Sequence, residues 1–223
     1  MLRGRGGEDE LRLVAPAAGA GAGVSRRFHA SAGRAAGVYG DGAADLVSAM
    51  CGRPSARWRR HGPAAAEVVA VAPLRASVWS VLSRVASHFS HRARRRAAAA
   101  AAEAAELGDL RGAVVAELSI CDRRCVGLAA AALTGARFLV LPRADEALTP
   151  REVVVLAAAI MRCTCELGVG VVFDAAATRN AFWADDVWHV GVRCGAERVC
   201  TSACAADSSP GTVAGWVGGA GSG

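Results

Sequence analysis

Apolar and polar positions in this chain fall into blocks whose lengths alternate between those of strands and those of helices. Leu11–Val14 alternates apolar and basic residues, the period of a half-buried strand. Ala35–Tyr39, Phe138–Leu141, Val169–Phe173 and Val187–Val190 are short continuous apolar runs, which predict buried strands. Val68–Ala72 has the same character and stops at Pro73. Longer segments of helical composition lie between them. Ala44–Cys51 follows the turn Gly40-Asp41-Gly42 and closes at Gly52. Trp79–Leu107 reads as helical throughout, with an alanine-rich middle from Ala97 to Glu106. Ser119 is placed to cap a helix reaching about Ala132, and Glu152–Glu166 follows Pro150, a residue suited to a first helical position. Ala15–Gly23 and Gly52–Pro63 read as loops, and Ala205–Gly223 as a loose tail. Strands alternating with helices imply an α/β domain with a largely parallel sheet.

Composition narrows the function classes. The chain has 223 residues, enough for one large domain or two small ones; 53% are hydrophobic and 21% charged, a globular balance. Aromatics are only 5%, so alanine, valine and leucine must build the core. The longest apolar runs, such as Glu152–Met161, are too short to cross a bilayer, so direct membrane insertion is not expected. All 26 basic residues are arginine. Without lysine there can be no Schiff base, no lysine nucleophile and no phosphate-binding P-loop lysine.

The net charge of +6 is mild, and its densest run, Arg92–Arg96, reads as a solvated helix face with no nucleic-acid partner. The eight cysteines are spaced as Cys121-x3-Cys125, Cys163-x-Cys165 and Cys200-x3-Cys204, with Cys51 and Cys194 alone. None forms the CxxC pair of a zinc ribbon; free thiols in a reducing compartment and no bound metal are expected. His88 and His91 share a helix face without a third ligand. Arg26–Arg34 has the arginine-rich, acid-free composition of a transit peptide but follows Glu8, Asp9 and Glu10, so no import signal is expected. Trp183 and Trp188 read as packing residues.

One loop carries the chemistry. Gly37-Val-Tyr-Gly40-Asp-Gly42-Ala43-Ala44-Asp45 follows a strand, opens a helix and has the glycine spacing of a P-loop, G-x-x-x-x-G-K-[ST]. Loop amides and a helix N-terminus can cradle an anion there. Ala43 stands where lysine would neutralise phosphates, and Ala44 where a hydroxyl would hold magnesium.

Further along, Leu118–Ala129 (LSICDRRCVGLA) resembles the signature LSGGQxxRVxLA of ATP-binding-cassette (ABC) nucleotide-binding domains. Phe138–Leu141 ends where that family has its Walker B aspartate, and Pro142–Pro150 (PRADEALTP) lies over the family's DEPTxxLDP. Ala184–Val187 (ADDV) is similar to the ADRV after the switch histidine, and Gly108–Leu110 to the segment ahead of the signature. Ala72-Pro73-Leu74 with Ser77-Val78-Trp79 looks like the Q-loop and its continuation. The resemblance runs from about residue 33 to 195, and Gly37–Gly52 is most similar to the second ATPase domain of sugar importers. It implies a P-loop NTPase-like ABC ATPase core with a mostly parallel sheet, a small N-terminal antiparallel β part and a helical subdomain. The expected division is a single domain over 1–200, with the helical subdomain at about 77–132, and a flexible tail over 201–223.

Each chemical role of the family can be checked at its position here. The phosphate lysine is Ala43, the magnesium hydroxyl Ala44 and the Q-loop glutamine Leu74. Walker B aspartate is Pro142, the catalytic glutamate Arg143, the D-loop aspartate Thr149 and the switch histidine Ala175. Ile120 and Cys121 fill the signature glycines, leaving Ser119. Phosphoryl transfer depends on positioning and charge stabilisation, so these groups are the catalyst. The resemblance therefore implies a vestigial nucleotide site at Gly37, Gly40, Asp41, Gly42, Ala43, Ala44, Asp45 and Ser119, with no ATP hydrolysis and no resident cofactor. The implied role is that of a non-hydrolysing partner or scaffold for a second ABC ATPase domain or a transporter membrane subunit, cytoplasmic and peripheral at the inner face of the membrane. An ATP-binding transporter subunit with weak affinity from the Gly40–Gly42 amides is the alternative. A third reading is shared ancestry alone, in a decayed product that folds poorly.

Overall fold

The computed structural model describes residues 10–15, 27–55, 57–63, 65–176, 180–181, 183–191 and 195–199. Its strands are β1 (Glu10–Val14), β2 (Arg27–Ser31), β3 (Ala35–Tyr39), β4 (Arg59–His61), β5 (Ala66–Glu67), β6 (Phe138–Leu141), β7 (Gly170–Asp174), β8 (Asp186–Gly191) and β9 (Gly195–Val199). Its α-helices are α1 (Ala43–Met50), α2 (Val78–Val85), α3 (His91–Ala104), α4 (Ile120–Ala132) and α5 (Pro150–Leu167). Six strands form one sheet in the order β5-β6-β7-β3-β8-β9, parallel except for the β8–β9 pair. β2, β1 and β4 form a separate antiparallel sheet.

The apolar runs are continuous because the main sheet is covered on both faces. Along β6, Phe138 and Val140 enter one core while Leu139 and Leu141 enter the other. Along β7, Val172 goes one way and Val171 and Phe173 the other. The first core joins the sheet to α1 and the small sheet through Leu11, Leu13, Phe28, Leu46, Met50 and Trp188. The second joins it to α2, α3, α4 and α5, largely through alanine, leucine and buried cysteine.

Helix starts are set by local chemistry. The Ser77 hydroxyl accepts from the Ser80 amide at 3.2 Å and caps α2. Thr149 and Glu152 form a reciprocal capping box at α5, with Pro150 in the first turn; Gly168 ends that helix at φ +66°. Ser119 caps α4: its Oγ accepts from the Asp122 amide at 3.0 Å and donates to Asp122 Oδ2 at 2.7 Å. Ser119→Ala is therefore expected to lower stability by about 1 kcal/mol, measurable by chemical denaturation. An unchanged midpoint would mean that the hydroxyl is not serving the helix.

Several expectations need correction. Val68–Ala72 is not a strand: after the short β5, Val68 donates to Val140 O at 2.7 Å and the chain then leaves the sheet to run over α4. The polar Gly52–Pro63 contains the edge strand β4, whose side chains are all exposed, so no apolar signal marks it. Trp79–Leu107 is two helices broken at Ser87–Ser90, where a 3-10 turn gives way to extended backbone at Phe89 and Ser90. The transit-like Arg26–Arg34 holds β2, with Phe28 and Ala30 buried between exposed or half-buried neighbours. β9, an antiparallel edge, was not foreseen. The expected loop Ala15–Gly23 lies outside the described residues beyond Ala15, as does the tail 201–223.

Candidate functional site

In a doubly covered parallel sheet, ligands bind at the carboxyl ends of the strands where crossovers diverge. Here that place is the end of β3, since the chain reaches β7 on one side and β8 on the other. The ends of β3, β6, β7 and β8 bring together the loop Gly40–Asp45, the segment Pro142–Asp145, Asp174-Ala175 and His189–Gly191. Leu74 and Ser119 are held by the helical part of the chain, Leu74 through its carbonyl to the Ala116 amide and Ser119 as the cap of α4.

The loop is tightly folded on β8. β3 continues through Tyr39, whose ring lies 5.2 Å from that of His189, so only Gly40, Asp41 and Gly42 separate strand from helix. Gly37 lies inside the strand, opposite Phe173 and Val187. A Cβ there would come within 2.9 Å of Ala181 Cβ and 3.0 Å of Phe173, the ring stacked on Trp183. Gly40 has φ +104° and a Cβ would sit 2.8 Å from Val190 O, so its glycine is required twice over. The Gly42 amide donates to Val190 O at 2.8 Å, and the Ala43 amide to Gly40 O at 3.0 Å. Two amides of the expected cradle thus point to protein carbonyls. Ala43 is buried in the core with Leu46 and Val47; Ala44 is exposed. Asp41 is exposed, and Asp45 in the first turn of α1 pairs with Arg57 at 3.7 Å. The loop thus carries the exposed Asp41 and the Asp45–Arg57 pair, and no lysine.

The β6 end is no better suited to magnesium. Pro142 has no ligand atom in its side chain. Arg143 has φ +48°, a left-handed conformation costing on the order of 1 kcal/mol for a non-glycine residue, and its Nη1 reaches Glu146 Oε1 at 3.5 Å. Thr149 is the α5 cap, and Ala175 is buried with its amide bonded to Val38 O at 3.0 Å. Leu74 is 43% exposed, and its carbonyl accepts from the Ala116 amide at 3.0 Å.

Two carboxylates escaped the sequence reading. Asp145 accepts from the Ala176 amide at 2.8 Å and from Asn180 Nδ2 at 2.7 Å, clamping the segment after β7. Asp174 ends β7; burial and the charge of Asp145 push its carboxyl above its ordinary value, against the Arg143 amide and guanidinium. An acid closing the apolar run of β7 was the available signal. Among the described residues no group of three or more His, Cys, Asp or Glu is arranged to hold a metal ion. Cys51, Cys121, Cys125, Cys163 and Cys165 are free; Cys194, Cys200 and Cys204 lie outside the described residues. Burial pushes the Cys163 thiol up to about 12. Asp185 Oδ2 accepts from the Ala35 amide at 2.8 Å, and Asp186 pairs with Arg198, so both acids hold strands in place.

The fold is that of the ATP-binding cassette domains of ABC transporters. No protein-family model and no curated protein matches the chain. Among solved structures, it is similar to cbiO1 of Clostridium perfringens, part of the ABC transporter complex cbiONQ, with a TM-score of 0.71 and 15% identity over 88% of this chain and 90% of that one. A metal-chelate type ABC transporter in an inward-facing conformation gives a TM-score of 0.69 at 15% identity over 87% of this chain and 84% of that one. An ATP-binding cassette of an ABC transporter in its ADP conformation gives 0.61 at 14% identity over 80% and 86%. At such identities the likeness is one of fold. No helix among the described residues is long and apolar enough to cross a membrane.

Proposed function

We propose that this chain is a catalytically inactive homologue of the ABC nucleotide-binding domain, acting through binding as a non-hydrolysing partner or scaffold subunit. The observation that carries the reading is the contrast between frame and chemistry. Strands, caps and turn glycines persist, while Ala43, Ala44, Leu74, Pro142, Arg143, Thr149 and Ala175 stand where the family's resemblance calls for phosphate, magnesium and water ligands. Magnesium prefers oxygen ligands in octahedral array, which alanine and proline side chains cannot supply. Removal of a single charge stabiliser commonly costs on the order of 10²–10³ in rate, and here none of the set is left. The Gly42 and Ala43 amides, turned to Val190 and Gly40, also argue against a retained phosphate cradle. By analogy with the transporter complexes that share the fold, its partner is a second ATPase domain with intact motifs or a transporter membrane subunit. On this reading the chain works as a peripheral subunit at the membrane's inner face.

Titration calorimetry with ATP, with and without magnesium, tests the reading alongside a phosphate-release assay. The expected result is no heat of binding and no release from a cooperatively folded protein. Micromolar binding would replace this reading with that of a nucleotide-binding transporter subunit, and magnesium-dependent release would overturn it outright.

A further inference from the structure

The charge of this protein is concentrated in one region. Between Glu67 and Glu103 there is no acidic residue, and six arginines fall within that stretch; the rest of the chain carries twenty arginines and twenty carboxylates. The whole net charge of +6 therefore belongs to the segment that forms α2, the turn after it and α3. The arginines cluster where the two helices meet. Arg84, His88, His91, Arg92, Arg95 and Arg96 are all exposed. On α3, Arg92, Arg95 and Arg96 are spaced i, i+3 and i+4 and share one face, while Ala98, Ala101 and Ala102 are buried on the other.

Arg92, Arg95 and Arg96 make no hydrogen bond or ion pair among the described residues. The first carboxylates that follow in sequence, Glu103 on α3 and Glu106 just past its end, are engaged by Arg111 and Arg162. The arrangement does not serve the helix: cations in the first turns oppose the helix dipole, and like charges three and four apart repel. At the corner itself Phe89 is 36% exposed, with the His88 ring 4.0 Å away.

We propose that this corner docks on an anionic phospholipid surface. Clustered arginines beside a small apolar wedge suit such a surface, where each basic side chain adds to the attraction and a shallow apolar residue enters the headgroup boundary. A single-stranded nucleic acid would need a stacking platform, and Phe89 is the one exposed large aromatic among the described residues. The patch lies on α2 and α3, away from the loop Gly40–Asp45, and does not depend on whether that loop binds nucleotide.

The test is co-sedimentation of the full chain with phosphatidylcholine vesicles, with and without phosphatidylserine, across a salt series. Binding is expected only with phosphatidylserine and should fall as salt rises. Combining Arg92→Glu, Arg95→Glu and Arg96→Glu should weaken partitioning by about a hundredfold or more. The thermal midpoint should hold or rise, because acids suit the first turns of a helix. A triple glutamine variant at the same positions repeats the test without charge reversal. Phe89→Ser should weaken binding less and leave the salt dependence unchanged. Absence of binding to the charged vesicles, or undiminished binding by both triple variants, would overturn the proposal. So would tighter binding to RNA at the same salt, lost in the same variants, which would assign the patch to nucleic acid.

Discussion

Ala43→Lys is expected to lower the unfolding temperature steeply without creating affinity for ATP. In a P-loop this position holds a lysine, so sequence spacing alone predicts that the substitution would favour phosphate binding. The structure predicts otherwise. Ala43 is 2% exposed and packs with Leu46, Val47 and Val190, while the loop ahead of it is tied to β8 by the bond from Gly42 to Val190. An ammonium introduced into that cluster has no partner and loses its hydration, at a cost on the order of 3–5 kcal/mol. For a domain of this size that corresponds to a drop of roughly 6–20 °C. Calorimetric unfolding and ATP titration on the same preparation decide the matter. A variant that keeps its midpoint and gains nucleotide binding would show that the loop still has P-loop geometry.

Gly127→Ala should be comparably damaging for a steric reason. Gly127 lies in the middle of α4, and a Cβ there would come within 2.2 Å of the Val69 carbonyl oxygen. The obstacle is backbone, so no side chain can swing aside. Either α4 shifts or the segment after β5 moves off it, disturbing the Val71 to Arg123 bond at 3.3 Å and the second core beneath. Overpacking of this kind costs about 3 kcal/mol at the upper end of its usual range, or roughly 6–12 °C. Gly112→Ala is the matched control, since nothing lies within 4 Å of its Cβ position; its midpoint should hardly move. Equal effects at the two glycines would contradict the close packing of α4.

The central strands were legible because burial on both faces writes itself as unbroken apolar runs. The starts of α4 and α5 were legible from Ser119 and Pro150, which act locally. What stayed hidden depended on partners distant in sequence. β4 is exposed and owes its strand geometry to β1, and β2 owes its own to the same partner, with an arginine-rich stretch around it that suggested a leader. Val68–Ala72 has strand composition, but α4 claims it in place of the sheet. At the candidate site, glycine spacing located the loop after β3. It could not show that β3 runs on to Tyr39, or that β8 takes up an amide of the loop, because both follow from the neighbouring strand. The resemblance sets the family's acidic positions at Pro142 and Arg143, whereas the acids at the ends of β6 and β7 are Asp145 and Asp174, which its pattern does not mark.

The six-stranded sheet also acts as a partition. Alternate residues of β6 and β7 serve different cores, and the two cores recruit different helices: α1 on one side, α2 to α5 on the other. A change beside the loop of α1 is felt mainly by Leu46, Met50 and their neighbours, while α4 and α5 keep their own packing. A substitution at the loop before α1 can therefore be absorbed on one side of the wall while the exposed faces of α2 and α3 keep their support on the other, two outcomes that a single shared core would have bound together.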